Sequence, residues 1–290
     1  MPSSSTQSSC IFKRSPGLVF QEGYWKYGRY YGNWRNSYHF PIDSEELTRL
    51  DMLNKFFYLA RGGQAFSSPL RRGGQTRVLD LGTGTGIWAI QVAEDVDPVP
   101  HVMAVDLHKI QPALLVGTPS YLQATISNNS WPATYQKAFK HTAPGGHLEQ
   151  VEIEWVPRWE GATMPECSAL LEWSQKFLSG MDEFHRSARL SGPNVRRMVE
   201  TAGYVDFKET IIRCCVSPWC HGQGETLVAN WFNICFTEGI EAMSLVPLME
   251  KCYMTLCQVK ALQARVKRES CNLKFHAYFN MHVWVARRPH

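Results

Sequence analysis

A glycine-rich turn is the part of this sequence whose residue types and spacing indicate chemistry. It reads Gly82-Thr83-Gly84-Thr85-Gly86 and follows the short apolar run 77–81. Because glycine has no Cβ, the backbone of such a turn can approach a ligand closely. Asp80 precedes Gly82 by two residues, and Asp106 ends a second apolar run 20 residues beyond Gly86. These features meet the requirements for binding an adenine nucleoside, with Asp106 accepting hydrogen bonds from two ribose hydroxyls.

The spacing of the glycines distinguishes two kinds of cofactor. Dinucleotide sites use G-x-G-x-x-G, which leaves room for a pyrophosphate, whereas this chain has G-x-G-x-G. A carboxylate at Asp80 suits the cationic amino-acid end of S-adenosylmethionine better than it suits a diphosphate. The pattern therefore predicts an S-adenosylmethionine site formed by Asp80, Gly82, Thr83, Gly84, Gly86 and Asp106. The alternative is that the turn binds no ligand and only joins a strand to a helix.

Catalytic residues cannot be assigned from the sequence. Methyl transfer from a sulfonium needs chiefly alignment and an unprotonated acceptor, so it leaves no obligatory acid–base pair. Five histidines are predicted to be surface or structural residues rather than general bases: His39, His101, His141, His147 and His276. The aromatic segment Tyr24–Tyr31 is too irregular for a regular element and is predicted to pack on the body of the protein. Its alternative role is to cap the cofactor through a cation–π contact with the sulfonium.

The nine cysteines favour free thiols over a disulfide framework or a metal site. No secretory signal is expected in the Ser-rich start, and the number of cysteines is odd, which is typical of a reducing compartment. Cys214, Cys215, Cys220 and His221 lie close in sequence, but they form no C-x-x-C and have no second pair at zinc-finger spacing. We therefore predict no metal.

The elements around the turn predict a parallel sheet. A strand at 77–81, a glycine turn, a helix from Ile87 and a strand at 101–106 form a βαβ unit. Upstream, Asp43 or Ser44 is the predicted N-cap of a helix. Its apolar side chains recur at steps of three and four: Leu47, Leu50, Leu53, Phe57 and Ala60.

The second half of the chain alternates predicted strands and helices. Strands are predicted at 147–155, 208–216 and 275–286, and helical stretches at 165–203, 224–243 and 247–269. Residues 1–20 are predicted to form a flexible tail, and 21–290 a single domain with an N-terminal helical cap and helical insertions. Composition agrees, since 290 residues that are 44% hydrophobic and 12% aromatic supply a large core. The net charge of +4 is too weak to indicate nucleic-acid binding, and we expect no membrane span.

The sequence resembles the fungal LaeA-type methyltransferases, the S-adenosylmethionine-dependent partners of velvet regulatory proteins. The resemblance is carried by VLDLGTGTGIWAI and AVDLHKIQP around the turn, and by YGRYYGNWRNSYHFPIDSEELTRLDMLNKFF before it. It continues through APGGHLEQVEIEWVPR, SPWCHGQGE, NWFNICFTEGIEAMSLVP and FHAYFNMHVWVARRP, so that it covers most of residues 22–289. It implies an α/β class I methyltransferase fold, Rossmann-like, with a mostly parallel sheet and a C-terminal antiparallel strand pair.

The resemblance also implies a function. Members of this family regulate secondary-metabolite gene expression in the nucleus with velvet-domain partners, so we expect those partners here and a nuclear location, with some protein in the cytoplasm. Two alternatives remain open at this point. One is a small-molecule O- or N-methyltransferase of a natural-product cluster, and the other is a non-catalytic scaffold with the methyltransferase fold.

One segment is too short for the complete fold. Only 36 residues separate Asp106 from Ala143, where two strands and their helices need upward of about 60. We predict that one edge strand is missing and that the central strand survives at 120–126. The adenine side of the cofactor pocket is then expected to be damaged, and S-adenosylmethionine to bind weakly.

Overall fold

The computed structural model describes residues 23–33, 38–69, 76–96, 98–111, 120–123, 130–161, 167–220 and 222–290. The predicted tail at 1–20 and its boundary lie outside the described residues. The elements, in chain order, are β1 (Gly23–Lys26), β2 (Arg29–Gly32), α1 (Ser44–Ala60), β3 (Arg77–Leu81), α2 (Ile87–Asp95), β4 (His101–Asp106), β5 (Ser120–Gln123), α3 (Trp131–His141), β6 (His147–Trp159), α4 (Ala169–Glu183), α5 (Gly192–Thr201), β7 (Val205–Cys215), α6 (Gln223–Glu250), α7 (Leu256–Ser270) and β8 (Ala277–Arg287).

The aromatic segment at the start forms a regular hairpin, so the prediction that it is irregular is wrong. Strands β1 and β2 pair antiparallel, and Tyr27 and Gly28 between them both have positive φ, 53° and 80°. A two-residue turn with this backbone matches the twist of the two strands. The predicted packing on the body is confirmed at Tyr31, which is 1% exposed.

Helix α1 begins where the sequence predicted. Asp43 is its N-cap and accepts a hydrogen bond from the Glu46 N–H at 3.1 Å. The same carboxylate accepts two hydrogen bonds from the guanidinium of Arg29, both at 2.7 Å. One aspartate therefore caps α1 and fastens the hairpin to it.

The predicted parallel sheet is confirmed, with the strand order β3-β4-β5. The ends of β3 and β4 agree with those predicted, and α2 covers one face of the pair through Ala89, Val92, Val102 and Ala104. On the opposite face Leu79, Leu81 and Met103 are 47%, 44% and 39% exposed. Within the described residues β3 pairs only with β4, so its outer edge carries no partner strand.

The prediction that residues 120–126 supply the central strand is wrong in its placement. Ser120–Gln123 pairs parallel with β4, Met103 opposite Ser120, on the side away from β3. The reason is the length of the connection, because thirteen residues separate Asp106 from Ser120. A crossover of about that length reaches the neighbouring position of the sheet. The position on the other side of β3 lies two strand positions from β4 instead of one.

The C-terminal strands form a second sheet in the order β6-β8-β7. Strand β8 runs antiparallel to both neighbours, which confirms the predicted antiparallel pair and makes β6 and β7 parallel to each other. Its side chains are buried on both faces, with Phe279 and Met281 at 0% exposed and Trp284 at 2%. The main core lies between this sheet and helices α4, α6 and α7. The mixed α/β class is therefore confirmed.

Two helical boundaries differ from the prediction. The stretch 165–203 is divided into α4 and α5, and α6 continues past the predicted break near 244–246 to Glu250. Pro247 lies in the last turn of α6, where its missing N–H removes a single helical hydrogen bond. Burial of the surrounding segment, including Leu245 and Leu248 at 1% and 0% exposed, keeps the helix intact there. Among the described helices none is both long enough and apolar enough to cross a bilayer.

Candidate cofactor site

The turn between β3 and α2 is held open by its glycines. Gly82 and Gly86 both have φ of 80°, a conformation that side chains with a Cβ rarely adopt. A Cβ on Gly82 would meet nothing within 4 Å, so this part of the turn borders open space. Gly86 is the N-cap of α2 and provides no side chain to cap it. The first N–H groups of α2 thus lack a capping side chain and lie where an anion or polar ligand group is favoured.

The end of β4 fixes this turn in place. The Gly82 and Thr83 N–H groups donate to the Val105 carbonyl at 2.8 and 3.1 Å. Asp106 Oδ2 accepts from the Gly84 N–H at 2.8 Å, and its Oδ1 accepts from the His108 N–H at 3.0 Å. The structure therefore brings Asp106 to the glycine turn, as the spacing predicted. Each carboxylate oxygen can accept one further hydrogen bond, which leaves capacity for two hydroxyl groups.

Asp80 is the residue of the site whose charged form is disfavoured in the fold. Burial, with a smaller contribution from the charge on Asp106, raises the pKa of Asp80 to about 6. Asp80 Oδ2 and Thr83 Oγ1 are both buried, and neither has a hydrogen-bond partner within the described part of the chain. A buried carboxylate oxygen without a partner is unfavourable. A cationic ligand group beside it would remove that penalty.

Three residues at this site were missed by the sequence analysis. The Gln111 amide donates to the carbonyls of Gly84 at 2.7 Å and His108 at 3.1 Å, which ties the loop after β4 to the turn. The His108 ring packs edge-on against Tyr38 at 5.3 Å between centroids. All three lie in segments that carry the LaeA-type resemblance, AVDLHKIQP for His108 and Gln111 and the preceding aromatic block for Tyr38, but the resemblance gives none of them a role.

The hairpin reaches this site through its last residue. A Cβ on Gly32 would lie 2.1 Å from His108 Nε2, so β2 approaches the loop after Asp106 as closely as a glycine allows. Burial lowers the pKa of His108, although the neighbouring Asp106 opposes the shift. A neutral, buried imidazole at this contact acts as a spacer between the hairpin and the turn.

Two of the histidines considered as general bases stack on aromatic rings, as expected of structural residues. The His39 ring stacks on Phe184 at 3.9 Å, and burial lowers its pKa to about 4. The His276 ring stacks on Trp219 at 4.7 Å. Among the described residues no group of three or more histidines, cysteines or acidic side chains is arranged to hold a metal ion.

Comparison with solved structures gives distant similarities. The mycolic acid cyclopropane synthase CmaA1, complexed with SAH and CTAB, matches with a TM-score of 0.47 and 12% identity over 88% of this chain and 94% of that one. The cyclopropane synthase MmaA2 from Mycobacterium tuberculosis gives 0.45 and 13%, over 80% of this chain and 83% of that one. At these scores the similarities establish neither a ligand nor an activity for this chain.

Comparison with characterised sequences gives close relatives. The secondary metabolism regulator LAE1 of Gibberella fujikuroi is 43% identical over 95% of this chain and 95% of its own length. LAE1 of Hypocrea atroviridis is 42% identical over 93% of this chain and 85% of its own length. The secondary metabolism regulator laeA of Aspergillus fumigatus is 32% identical over 99% and 81%. No family model matches. At such identity and coverage, the chain belongs to the family of the LaeA and LAE1 secondary metabolism regulators.

Proposed function

We propose that this protein is an S-adenosylmethionine-dependent, methyltransferase-like regulator of secondary metabolism. The observation that carries the proposal is the contact between the Gly84 N–H and Asp106 Oδ2, 2.8 Å long, at the end of a βαβ unit. It places a carboxylate beside an open glycine turn and at the N-terminus of α2, which is the arrangement that an adenine nucleoside needs. Membership of the LaeA family supports the regulatory part of the proposal.

The residues present fit the two polar ends of S-adenosylmethionine. Asp80, with its unpartnered oxygen, is suited to the ammonium of the amino-acid end. Asp106, which keeps one acceptor position on each oxygen, is suited to the ribose hydroxyls. The open space at Gly82 lets the backbone approach the ligand between them. The cofactor, when bound, supplies an electrophilic methyl group on a sulfonium, and the protein's part is to align it and exclude water.

Calorimetric titration with S-adenosylmethionine and S-adenosylhomocysteine tests the proposal. Loss of a charged hydrogen-bond acceptor costs roughly 1.5–3 kcal/mol per bond, so Asp106→Ala weakens binding about tenfold or more. Asp95→Asn is the matched control, because Asp95 is exposed at the last residue of the same α2 helix. Equal affinity in the native protein and Asp106→Ala, with both shown to be folded, would contradict the site. Failure of the native protein to bind either compound would contradict the proposed cofactor.

Nuclear location and velvet-domain partners complete the proposal. They are supported by membership of the LaeA family. A fluorescent fusion and co-purification with velvet-domain proteins test this part. Exclusion of the fusion from nuclei, or absence of velvet proteins from the purified material, would count against it.

The scaffold alternative is favoured by one observation. Both oxygens of Asp106 already accept backbone hydrogen bonds, so the carboxylate has a structural role at the turn without any ligand. Asp106→Asn keeps one of these two acceptor oxygens and turns an NH2 group toward the other backbone N–H, so the variant is first shown to be folded. A scaffold in that folded form still binds velvet partners, whereas a cofactor-dependent regulator loses activity. Restoration of secondary-metabolite production in a deletion strain by Asp106→Asn would therefore favour the scaffold.

A further inference from the structure

Two thiols face each other at the end of β7. Cys215 is the last residue of that strand, and Cys220 lies two residues before Gly222, the N-cap of α6. The Cys220 Sγ donates to Cys215 Sγ at 2.8 Å, compared with about 2.05 Å in a disulfide. The neighbouring Cys214 points into the core instead, where it is 0% exposed and donates to the Ile212 carbonyl. The distance between the two sulfur atoms thus identifies Cys215 and Cys220 as a pair within the cysteine cluster at 214–220.

The backbone on both sides of this pair is fixed. The Val216 N–H donates to the Ala277 carbonyl at 3.0 Å, and the Asn233 amide donates to the Val216 carbonyl at 2.6 Å. The Thr226 hydroxyl donates to the Cys220 carbonyl at 3.0 Å. Hydrogen bonds from β8 and α6 therefore hold the two cysteines, so their approach does not depend on chance encounters of a flexible loop. Such preorganisation raises the effective concentration of one thiol at the other.

The two thiols differ in accessibility. Cys215 is 5% exposed, whereas Cys220 is only half-buried. Burial raises the pKa of the Cys215 thiol, and the proximity of Cys220 adds to the shift, against the opposing charge of Arg213. The thiolate is the reactive form, and an accessible cysteine meets an oxidant first. Cys220 is thus the attacking residue, and Cys215 is the resolving residue.

We propose that Cys215 and Cys220 form a redox-active dithiol that small disulfides, such as glutathione disulfide, oxidise to an intramolecular disulfide. The Cys220 thiolate attacks one sulfur of glutathione disulfide, the S–S bond breaks, and one glutathione leaves with the electron pair as a thiolate. Cys215 then loses its proton to that thiolate and attacks Cys220 Sγ, which expels the second glutathione. The protein loses two electrons and two protons, and two molecules of reduced glutathione form.

The bond would join the end of β7 to the residues just before α6. It closes a loop of six residues and restricts the unfolded chain, so the oxidised protein melts at a higher temperature than the reduced protein by a few degrees. This site lies apart from the glycine turn in sequence and goes beyond the proposed function. It makes the stability of the protein respond to the thiol balance of its surroundings.

Thiol trapping on the native protein tests the proposal without any substitution. The protein is equilibrated in glutathione buffers from fully reduced to fully oxidised, quenched with iodoacetamide and digested. Cys214, Cys215 and Cys220 fall on one tryptic peptide, so fragment spectra are needed to locate the bond. We expect a Cys215–Cys220 bond in the oxidised sample, whereas the exposed Cys167, Cys257 and Cys271 form glutathione adducts at most. Full alkylation of both cysteines in oxidised buffer, or a bond from Cys214 instead, would overturn the proposal.

Serine variants assign the order of attack. In Cys215→Ser the glutathione adduct on Cys220 persists, because the resolving thiol is absent, and in Cys220→Ser the buried Cys215 gains no adduct. Cys257→Ser is the matched control, since Cys257 is exposed in the first turn of α7 and its loss leaves the disulfide unchanged. Melting temperatures of the reduced variants show whether each is folded. Adduct formation on Cys215 as fast as on Cys220 would overturn the assigned roles.

Discussion

Asp80 shows how a single residue can be unfavourable for folding and suited to a ligand. It lies in the strand before the glycine turn, and one of its oxygens is buried without a partner among the described residues. Burial raises its pKa from 3.8 to about 6, so the folded state prefers the neutral acid. Its ionisation therefore destabilises the fold, and this effect appears as the pH rises from 3.8 through about 6.

We expect Asp80→Asn to stabilise the ligand-free protein at neutral pH. A pKa raised from 3.8 to about 6 corresponds to a free energy of no more than about 3 kcal/mol. The variant is more stable than the native protein by this full amount above pH 6.5, and the difference disappears toward pH 4. Thermal melts of the native protein and the variant across this range give the difference. Asp95→Asn is the control, because it makes the same chemical change at an exposed residue outside the site. A constant difference between Asp80→Asn and the native protein at every pH would contradict the buried-charge explanation.

His282 has the opposite sign of pH dependence. Its ring is 5% exposed and lies between two carboxylates, with Nδ1 2.8 Å from Glu209 Oε1 and Nε2 3.4 Å from Glu154 Oε2. The hydrogen bond with Glu154, and then that with Glu209, raises the pKa of His282 above 6.5 against the effect of burial. The stabilisation is therefore complete below pH 6.5 and is lost as the pH rises through the folded-state pKa.

This pH dependence can be measured as the gap in melting temperature between the native protein and His282→Gln at each pH. The gap is largest at pH 6, where the acids stabilise the charged imidazolium of the native protein. It narrows toward pH 8.5, because the native protein then lacks that charge as well. Loss of the packing of the imidazole ring lowers the melting temperature of the variant by the same amount at every pH. If the gap widened with increasing pH, the ion-pair explanation would be wrong.

The contacts of the site that could be predicted from sequence are those within one βαβ unit, whereas contacts with elements distant in the chain could not be predicted. The contact of Asp106 with the turn follows from local rules, because adjacent parallel strands end at the same edge of the sheet. Tyr38 and His108 meet because the hairpin docks beside that edge, and no periodicity in the sequence encodes this docking. The structure brings all six predicted site residues to one turn, while their ligand contacts remain a prediction.

At the scale of elements, the outer edge of β3 is the exposed feature of the fold. Leu79 and Leu81 are nearly half exposed, on a strand that pairs on one side only within the described residues. An apolar strand with a free edge is a template for association with another chain. The sequence could not reveal this, since the run 77–81 has the composition of a strand buried on both faces.

Leu79→Lys should reduce self-association. A lysine on an edge strand keeps its charge in water and disfavours pairing with a second strand, while little buried area is lost at a side chain that is 47% exposed. Light scattering during incubation at elevated concentration measures the effect. Leu227→Lys is the matched control, because Leu227 is 48% exposed but lies on α6. Equal suppression of scattering by both variants would indicate that net charge, rather than the strand edge, is responsible.

At the scale of the whole molecule, a shortened segment accounts for the single partner strand that β3 has within the described residues. The alignment with the Gibberella fujikuroi regulator has 301 positions, but it includes only about 276 residues of this chain, which is 95% of 290. At about 25 positions, therefore, the relative has residues and this chain has none. That number is the size of one strand, one helix and their loops. Because β5 already lies beside β4, a missing segment would fill the position beside β3, and we expect it to follow Gln123 in the chain. The 36 residues between Asp106 and Ala143 are too few for two strands with their helices, but this length alone does not identify which strand is present.

Insertion of that segment tests the account at this scale. A graft from the Gibberella fujikuroi relative between Gln123 and Ser130 should give β3 a second partner strand and cover Leu79 and Leu81. Removal of the remaining half of two leucine side chains from water contributes about 1 kcal/mol each. With an unfolding entropy of about 0.6 kcal/mol/K for 290 residues, the expected rise in melting temperature is therefore about 3 °C. Hydrogen exchange of the β3 amides should slow at the same time.

A Gly/Ser insert of equal length is the control, since it adds chain without an apolar strand. If both inserts gave the same melting temperature and the same exchange in β3, the free edge would not result from the missing segment.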